Sequence, residues 1–353
     1  MSFFFFDADA QVEYAGVNFI DTYLRSGIYP IPLPAIVGSE AAGVIVALPT
    51  DPAVLKHPEF KGRSYAIGGK AIAVRQALNF WDLNGLSHLI TQQGGGGTDA
   101  EYIAVPWDKI FPIPPDSGID ARTGAAGFLQ AVTVISFMEE AYQVKKGDTI
   151  FIHTIAGGFG LIATQYAKWK GATVIGSTSR NDKAEVAKAH GADHVILYTK
   201  EDTVKRVLEL TNGAGVDAVF DGVGKDTYVW FPKFIPWHAY RFHMVRFDNN
   251  FKLLKRKGTL LSYGNASGVI PPFSILSLTE KNIKLLRPSM MNYLVTPEEG
   301  THYSNLFFDA VSKGIVKITI SHEYPFTAEG VRQAQTDLPA GKSTGKLIIK
   351  IGD

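Results

Sequence analysis

The stretch from Thr149 to Gly171 constrains this chain more than any other. Three apolar residues, Ile150 to Ile152, lead toward Gly157-Gly158-Phe159-Gly160, and an alanine-containing segment with Leu161, Ile162, Tyr166 and Trp169 follows. A short apolar run, a glycine cluster and then helical spacing read as strand, tight turn and helix. From Gly158 the turn spells Gly158-x-Gly160-x-x-Ala163, the dinucleotide fingerprint with alanine in third place. Glycine permits the backbone angles of the turn and the approach of a pyrophosphate, while a small residue at 163 lets helix pack on strand. The N-terminus of that helix offers N–H groups and the positive end of its dipole to phosphate.

The chain that follows repeats the alternation. Strands are expected at Thr173–Ser177, His194–Leu197, Val216–Phe220 and Thr259–Tyr263, with helices at Lys183–His190 and Asp202–Leu210 between them. Gly191 stops the first helix, the third strand runs into Asp221-Gly222-Val223-Gly224, and the last into Gly264-Asn265. Such alternation predicts a Rossmann-type α/β domain, a doubly wound parallel sheet with right-handed crossovers. Past the second strand the chain reads Gly176-Ser177-Thr178-Ser179-Arg180-Asn181-Asp182-Lys183. An acid at the strand end would bind ribose hydroxyls and repel a 2′-phosphate, whereas hydroxyls and cations bind that phosphate. NADPH is therefore expected over NADH, with Asp182 as the feature that argues the other way. The alternative for Arg180 and Lys183 is a solvated helix start.

Composition narrows the class. At 353 residues and 46% hydrophobic, the chain can bury a core in each of two domains. A net charge of +1 argues against nucleic-acid or membrane affinity through charge. There is no cysteine, which excludes disulfides, thiol catalysis and cysteine-ligated zinc. Met1–Phe6 has four consecutive Phe but no basic residue, and Asp7 and Asp9 follow, so it reads as neither signal peptide nor membrane span. A cytoplasmic soluble enzyme is the default expectation.

Three segments carry a family resemblance: Gly16-Val17-Asn18-Phe19-Ile20-Asp21-Thr22-Tyr23-Leu24-Arg25-Ser26-Gly27-Ile28-Tyr29-Pro30, Val37-Gly38-Ser39-Glu40-Ala41-Ala42-Gly43, and Ile155-Ala156-Gly157-Gly158-Phe159-Gly160. Together they resemble the zinc-free quinone oxidoreductases, the zeta-crystallin-like branch of the medium-chain dehydrogenase/reductase superfamily. Zinc-dependent relatives carry Gly-His-Glu where this chain has Gly38-Ser39-Glu40, so no metal site is expected. The resemblance implies a GroES-like, mainly β catalytic domain over residues 1–121 and a Rossmann NADPH-binding domain over 122–288, with a return to the catalytic domain over 289–353. By the same resemblance Ala156, Gly157, Gly158, Phe159 and Gly160 receive the pyrophosphate, and Ser179, Arg180 and Lys183 the 2′-phosphate. Tyr198 flanks the adenine, while Tyr263 and Asn265 contact the nicotinamide end. Thr133 falls where the family has a threonine near the nicotinamide, with simple helix packing as the alternative. Asn18, Tyr23 and Tyr29 lie near nicotinamide and substrate, and Asp21 and Arg25 shape the pocket through an ion pair. Tyr23 either donates a proton to a developing oxyanion or is an aromatic wall without chemistry.

The activity implied is NADPH-dependent reduction of quinones by hydride or one-electron steps. Its alternatives are reduction of the double bond in an α,β-unsaturated ketone, and binding of AU-rich RNA, for which no basic stripe with interleaved aromatics is present. Family habit implies a homodimer formed through the nucleotide domains.

Other stretches yield expectations of fold. Pro49–Gly69 reads as loop, Gly94–Gly97 as a turn, Pro112–Gly118 as a linker, Gly124–Tyr142 as a helix, and Asp248–Gly258 as another. His153 reads as a satisfied core residue, Glu139 and Glu140 as a solvated helix face, and Phe159 as a bulk that alters the turn where relatives have Val. Lys342 is the nearest cation to the place near Gly341 where relatives carry an arginine. Residues 1–13 show no clear periodicity, and only fifteen residues precede Gly16. A truncated catalytic domain with exposed sheet edges is the resulting expectation. Val229–Arg246, rich in Phe, Trp, His and Pro, is expected to be translated intron sequence, with a surface insertion of binding role as the alternative.

Overall fold

Residues 7–17, without pattern by inspection, form the hub of a sheet. In the computed structural model, which describes residues 7–31, 33–75, 97–225 and 247–352, Asp7–Val17 is an eleven-residue strand, β1. Met1–Phe6, Gly94–Gly96 and Val229–Arg246 lie outside the described residues. Ala8, Ala10, Val12 and Ala15 are at most 3% exposed and belong to one apolar cluster with Ile45, Val105 and Ile349. Asp7, Asp9, Gln11 and Glu13 alternate with the first three, so the period of two is present. Alanine carries too weak a hydrophobic signal to announce it. The reading of residues 1–13 as lacking periodicity is thus overturned from Asp7 onward.

The chain divides into two units, Met1–Val132 with Met291–Asp353, and Thr133–Met290. In the first, β1 pairs antiparallel with β2 (Glu40–Ala47) along one flank. Its other flank takes β4 (Tyr102–Pro106) at Asp7–Gln11 and β13 (Lys346–Lys350) at Tyr14–Val17. With β3 (Lys70–Val74), β5 (Ile110–Pro112) and β12 (Ile320–Pro325), a seven-stranded sheet runs in the order β12-β13-β1-β2-β3-β5, with β4 branching from β1 as the seventh strand. The expected loop Pro49–Gly69 contains two short helices, Pro52–Lys56 and Pro58–Gly62. Each starts with proline behind a capping side chain: Asp51 accepts from the Ala53 N–H (2.6 Å) and His57 from the Glu59 N–H (3.2 Å). The expected linker Pro112–Gly118 falls within this unit rather than at its end, and Ser312 Oγ donates to the Ser117 carbonyl at 2.8 Å.

The second unit is built on β6 (Thr149–Ile152), β7 (Thr173–Thr178), β8 (His194–Leu197), β9 (Val216–Asp221), β10 (Leu254–Ser262) and β11 (Lys284–Leu286). All pairs are parallel and the order is β11-β10-β9-β6-β7-β8, so the chain winds one way from β6 to β8 and the other way from β9 to β11. Helices Gly158–Trp169, Asn181–Ala189 and Thr203–Leu210 make the crossovers, and Phe151, Ile175, Val219 and Leu260 fill the core between sheet and helices. The helix expected over Asp248–Gly258 stops at Leu253. Leu254 turns extended and pairs with Val216, which buries it completely in the sheet. Gly124–Tyr142 is instead the helix Ala121–Ser136 closed by a wider turn, Phe137–Ala141. Within that turn Glu139 is no solvated acid: it accepts from Tyr166 Oη (2.7 Å) and from Lys170 Nζ (2.6 Å).

Candidate functional site

In the nucleotide unit, β6 delivers the glycine turn to the C-terminal edge of the sheet. Thr154 takes a left-handed backbone (φ 50°), and Ile155 donates to the Ser177 carbonyl at 3.0 Å, tying the turn to the end of β7. Gly157 caps the helix Gly158–Trp169 in extended conformation, and the first N–H groups of a helix have no partner within it. A Cβ on Gly160 would overlap the Ile155 carbonyl, so the turn keeps this shape only with glycine there. Ala156 and Ala163 are buried, and Ala163 packs as the small third residue of the fingerprint requires. The turn fits a pyrophosphate by these criteria. The Phe159 ring leaves the turn to lie on Tyr263, centroids 4.4 Å apart. Tyr263 also meets Phe137 edge-on at 5.7 Å, and Asn265 is buried two residues beyond. Thr133 is half-buried on its helix.

At the end of β7, Ser177 and Thr178 are buried and Ser179 begins the exposed turn. Arg180 reaches Asp182 with both Nε (3.0 Å) and Nη2 (2.9 Å), a bidentate pair in which both side chains are more than half exposed. Lys183 is buried at the base of the helix, and burial together with the Arg180 charge holds its ammonium below the usual lysine range. Tyr198 follows β8, and its N–H donates to the Thr178 carbonyl at 3.1 Å. The three predicted phosphate ligands therefore share one strand-to-helix turn, with Asp182 already engaged by Arg180.

The catalytic unit holds a buried polar network that sequence reasoning did not assemble. Asn18 follows β1 and caps the helix Phe19–Arg25. Its Nδ2 donates to Glu40 Oε1 (2.8 Å) and to the Gly16 carbonyl (3.2 Å), while its Oδ1 accepts from Lys346 Nζ (2.7 Å). Lys346 also pairs directly with Glu40, whose other oxygen accepts from the Leu129 N–H at 2.8 Å. Lys346 and Glu40 are 1% and 0% exposed at their side chains. Beside them Asp21 accepts from the Asn18 N–H (2.8 Å) and from Ser39 Oγ (2.5 Å). Complete burial pushes the Asp21 carboxyl up to about 6 in spite of these donors and of Lys346. Asp99 lies well above the usual carboxylate range, through burial first and the Asp21 charge second.

The expected Asp21–Arg25 ion pair is not formed. Asp21 is the third residue of its helix and turns back to cap it, whereas Arg25, in the last turn, donates to the Gln335 carbonyl at 3.3 Å. Arg25 instead lines a concavity of about 520 Å³ with Val37, Phe326 and Val331. Tyr23 is buried, edge-on to Tyr29 at 5.5 Å. Lys342 binds Asp337 at 2.7 Å. A lysine inside Gly345-Lys346-Leu347-Ile348-Ile349 and a glutamate ahead of Ala41-Ala42-Gly43-Val44 were the available signals for the missed pair, since charges in apolar strands need partners. His153 is satisfied as expected, its Nε2 lying 2.7 Å from Asn250 Oδ1.

Comparison with known proteins agrees with both units. Residues 7–115 match the alcohol dehydrogenase GroES-like domain, and residues 158–230 the zinc-binding dehydrogenase domain. A quinone oxidoreductase of Salmonella typhimurium is 32% identical over 336 residues, covering 95% of this chain and 88% of the relative. A 2-haloacrylate reductase of a Burkholderia species is 30% identical over 317 residues, 88% of this chain and 81% of the relative. The structure of Escherichia coli quinone oxidoreductase complexed with NADPH superimposes with a TM-score of 0.80 at 28% identity, covering 98% of this chain and 92% of that one. With the doubly wound sheet, the glycine turn and this similarity along nearly its whole length, the chain belongs to the quinone oxidoreductase family of the medium-chain dehydrogenase/reductase superfamily.

Proposed function

We propose that this protein is an NADPH-dependent oxidoreductase that reduces quinones. The observation that carries the reading is the end of β7, where hydroxyls, Arg180 and Lys183 stand in place of an acid that would repel a 2′-phosphate. The family membership and the NADPH complex of the Escherichia coli relative support it. NADPH supplies the hydride, and with one proton the net reaction converts a quinone to a hydroquinone.

The chain's own residues bind and orient. Ala156–Gly160 and the helix N-terminus behind them take the pyrophosphate. Ser179, Arg180 and Lys183 take the 2′-phosphate, Tyr198 flanks the adenine, and Thr133, Tyr263 and Asn265 serve the nicotinamide end. Asn18, Tyr23 and Tyr29 surround the acceptor. Both Nδ2 protons of Asn18 are already committed to Glu40 and Gly16, so it serves by fixed position and by the remaining lone pair of Oδ1. Tyr23 is the proton donor in this reading, and Tyr23→Phe tests it: a loss in kcat supports donation, and an unchanged kcat leaves an aromatic wall. In this reading the catalytic domain comprises residues 1–121 and 289–353 and the NADPH-binding domain residues 122–288.

Titration of the purified chain with NADPH and NADH, followed by nucleotide fluorescence, tests the whole proposal. Clear NADPH preference followed by quinone turnover is expected, and a folded chain that binds neither nucleotide refutes it. A second reading, reduction of an activated carbon–carbon double bond, is favoured by the Burkholderia 2-haloacrylate reductase relative. Turnover of enones in place of quinones would select it.

We further propose a homodimer through the nucleotide unit. β11 ends its sheet, and Val269, Ile275, Leu276 and Leu286 of the same unit are 36–75% exposed, an apolar edge that a second copy would cover. Sedimentation of the wild type and of Ile275→Glu/Leu276→Glu tests it, with a monomeric wild type as the refuting result. Among the described residues no helix is long and apolar enough to cross a membrane.

A further inference from the structure

In the nucleotide unit, one side chain bridges the two lips of the crevice where the strand order reverses. β6 and β9 are neighbours, and the chain winds away from them in opposite directions, so ligands of such sheets bind beyond their C-terminal ends. His153 directly follows β6, and its N–H donates to the Phe220 carbonyl of β9 at 3.1 Å. Asp221 closes β9 and is fully buried. Its Oδ1 accepts from the N–H groups of Val223 (2.8 Å) and Gly224 (3.2 Å), and its Oδ2 from Asn250 Nδ2 (2.8 Å). With its nitrogen on that carboxylate, Asn250 presents Oδ1 to His153 Nε2 at 2.7 Å. An amide oxygen only accepts, so His153 donates to it from Nε2. Asn250 is itself 0% exposed and comes from neither turn, but from the helix Asn249–Leu253.

We propose that Asn250 is a positioning residue for the dinucleotide. Its amide is a two-faced link, donor to Asp221 and acceptor from His153. It joins the turn that starts at His153 to the turn Asp221–Gly224, and it selects the histidine tautomer. An apolar residue of similar volume fills the space but leaves Asp221 and His153 without their shared partner, and the two turns lose their common register. Aspartate keeps the shape but sets a second carboxylate against the first. Exchanging the two residues restores every bond with the charge moved to the other position. The amide now at position 221 would accept from both N–H groups and donate to the carboxylate now at position 250, which would accept from His153.

The inference rests on the NADPH reading above and is tested on the full chain by nucleotide fluorescence, with folding of each variant followed by circular dichroism. Asn250→Leu and Asn250→Asp should each weaken NADPH binding by about tenfold or more. The exchange Asp221→Asn/Asn250→Asp should return to within about threefold of the wild type. Residue 250 acting only as a spacer predicts no such recovery. Wild-type affinity in Asn250→Leu overturns the proposal, as does an exchange no better than Asn250→Asp. Should a variant not fold, the ¹⁵N spectrum of His153 in the wild type decides: an Nε2–H tautomer is expected, and Nδ1–H overturns it. A wild type that binds no NADPH removes the cofactor reading instead, while the tautomer and the recovery of thermal stability by the exchange still test the bridge.

Discussion

The Lys346–Glu40 pair should be the most costly single contact to break in the catalytic unit. Replacing Lys346 by Met keeps an unbranched chain of similar reach in a site that is 1% exposed, but strips the Glu40 carboxylate of its cation at 0% exposure. Removing one partner of a buried ion pair typically costs about 3–5 kcal/mol, because the remaining charge stays desolvated. Asn18 Oδ1 also loses the donor it has at 2.7 Å, which adds about 1 kcal/mol. At roughly 2–4 °C per kcal/mol for a unit of this size, the melting temperature should fall by on the order of 10 °C. The assay is thermal unfolding followed by circular dichroism, run as a double-mutant cycle with Glu40→Gln. If the cost lies in the orphaned charge, Glu40→Gln/Lys346→Met should be more stable than Lys346→Met, with coupling of about 2–3 kcal/mol. A fall of under about 2 °C in Lys346→Met, or strict additivity, would refute the reasoning.

Four further outcomes are expected. Asp182→Ala frees Arg180 from its bidentate partner and should tighten NADPH binding without changing NADH binding, while Arg180→Ala should weaken NADPH alone by about 1.5–3 kcal/mol; parallel shifts for both nucleotides would argue against a 2′-phosphate site. Gly160→Ala forces a Cβ onto the Ile155 carbonyl and should abolish NADPH binding, so unchanged titrations would remove the turn from the site. Because the folded chain holds the Asp21 proton up to about 6 against 3.8 for the free group, the unfolded chain releases it first, and the stability contribution falls as pH rises from 3.8 to about 6. Asp21→Asn removes this slope, so its stability relative to wild type should climb by roughly 3 kcal/mol across that window, and parallel profiles in urea melts would contradict it. Asp99, raised well above the usual range, should behave in the same direction: Asp99→Asn should gain stability over wild type as pH rises, and a difference that does not change with pH would count against a raised Asp99 carboxyl.

Elements with strong periodicity were legible before the fold was known. The glycine turn, β7, β8, β9 and their helices carry their pattern locally, because each buries one face against the next in sequence. β1 was not legible: its inward residues are mostly alanine, and its worth lies in three partner strands, one of them starting at Lys346. The helix expected over Asp248–Gly258 failed for the same reason, since Leu254 gains more by completing a sheet opposite Val216 than by continuing a helix. The short helices after Asp51 and His57 were legible in principle from a capping residue followed by proline.

At the candidate site the division is similar. Sequence by itself determined the nucleotide turn, the cation-bearing end of β7 and the segments that place this chain in its family, because these are contiguous motifs whose chemistry depends on near neighbours. Tertiary structure decided which charges are paired. Asp21 turned to Ser39 and its own helix end and left Arg25 aside, and Glu40 took as its cation a lysine more than three hundred residues away. Asn250 came to stand between Asp221 and His153. A buried charge or amide is stable only with a complementary group at hydrogen-bond distance, and which group arrives there is set by the register of strands and the packing of helices that a linear pattern does not contain.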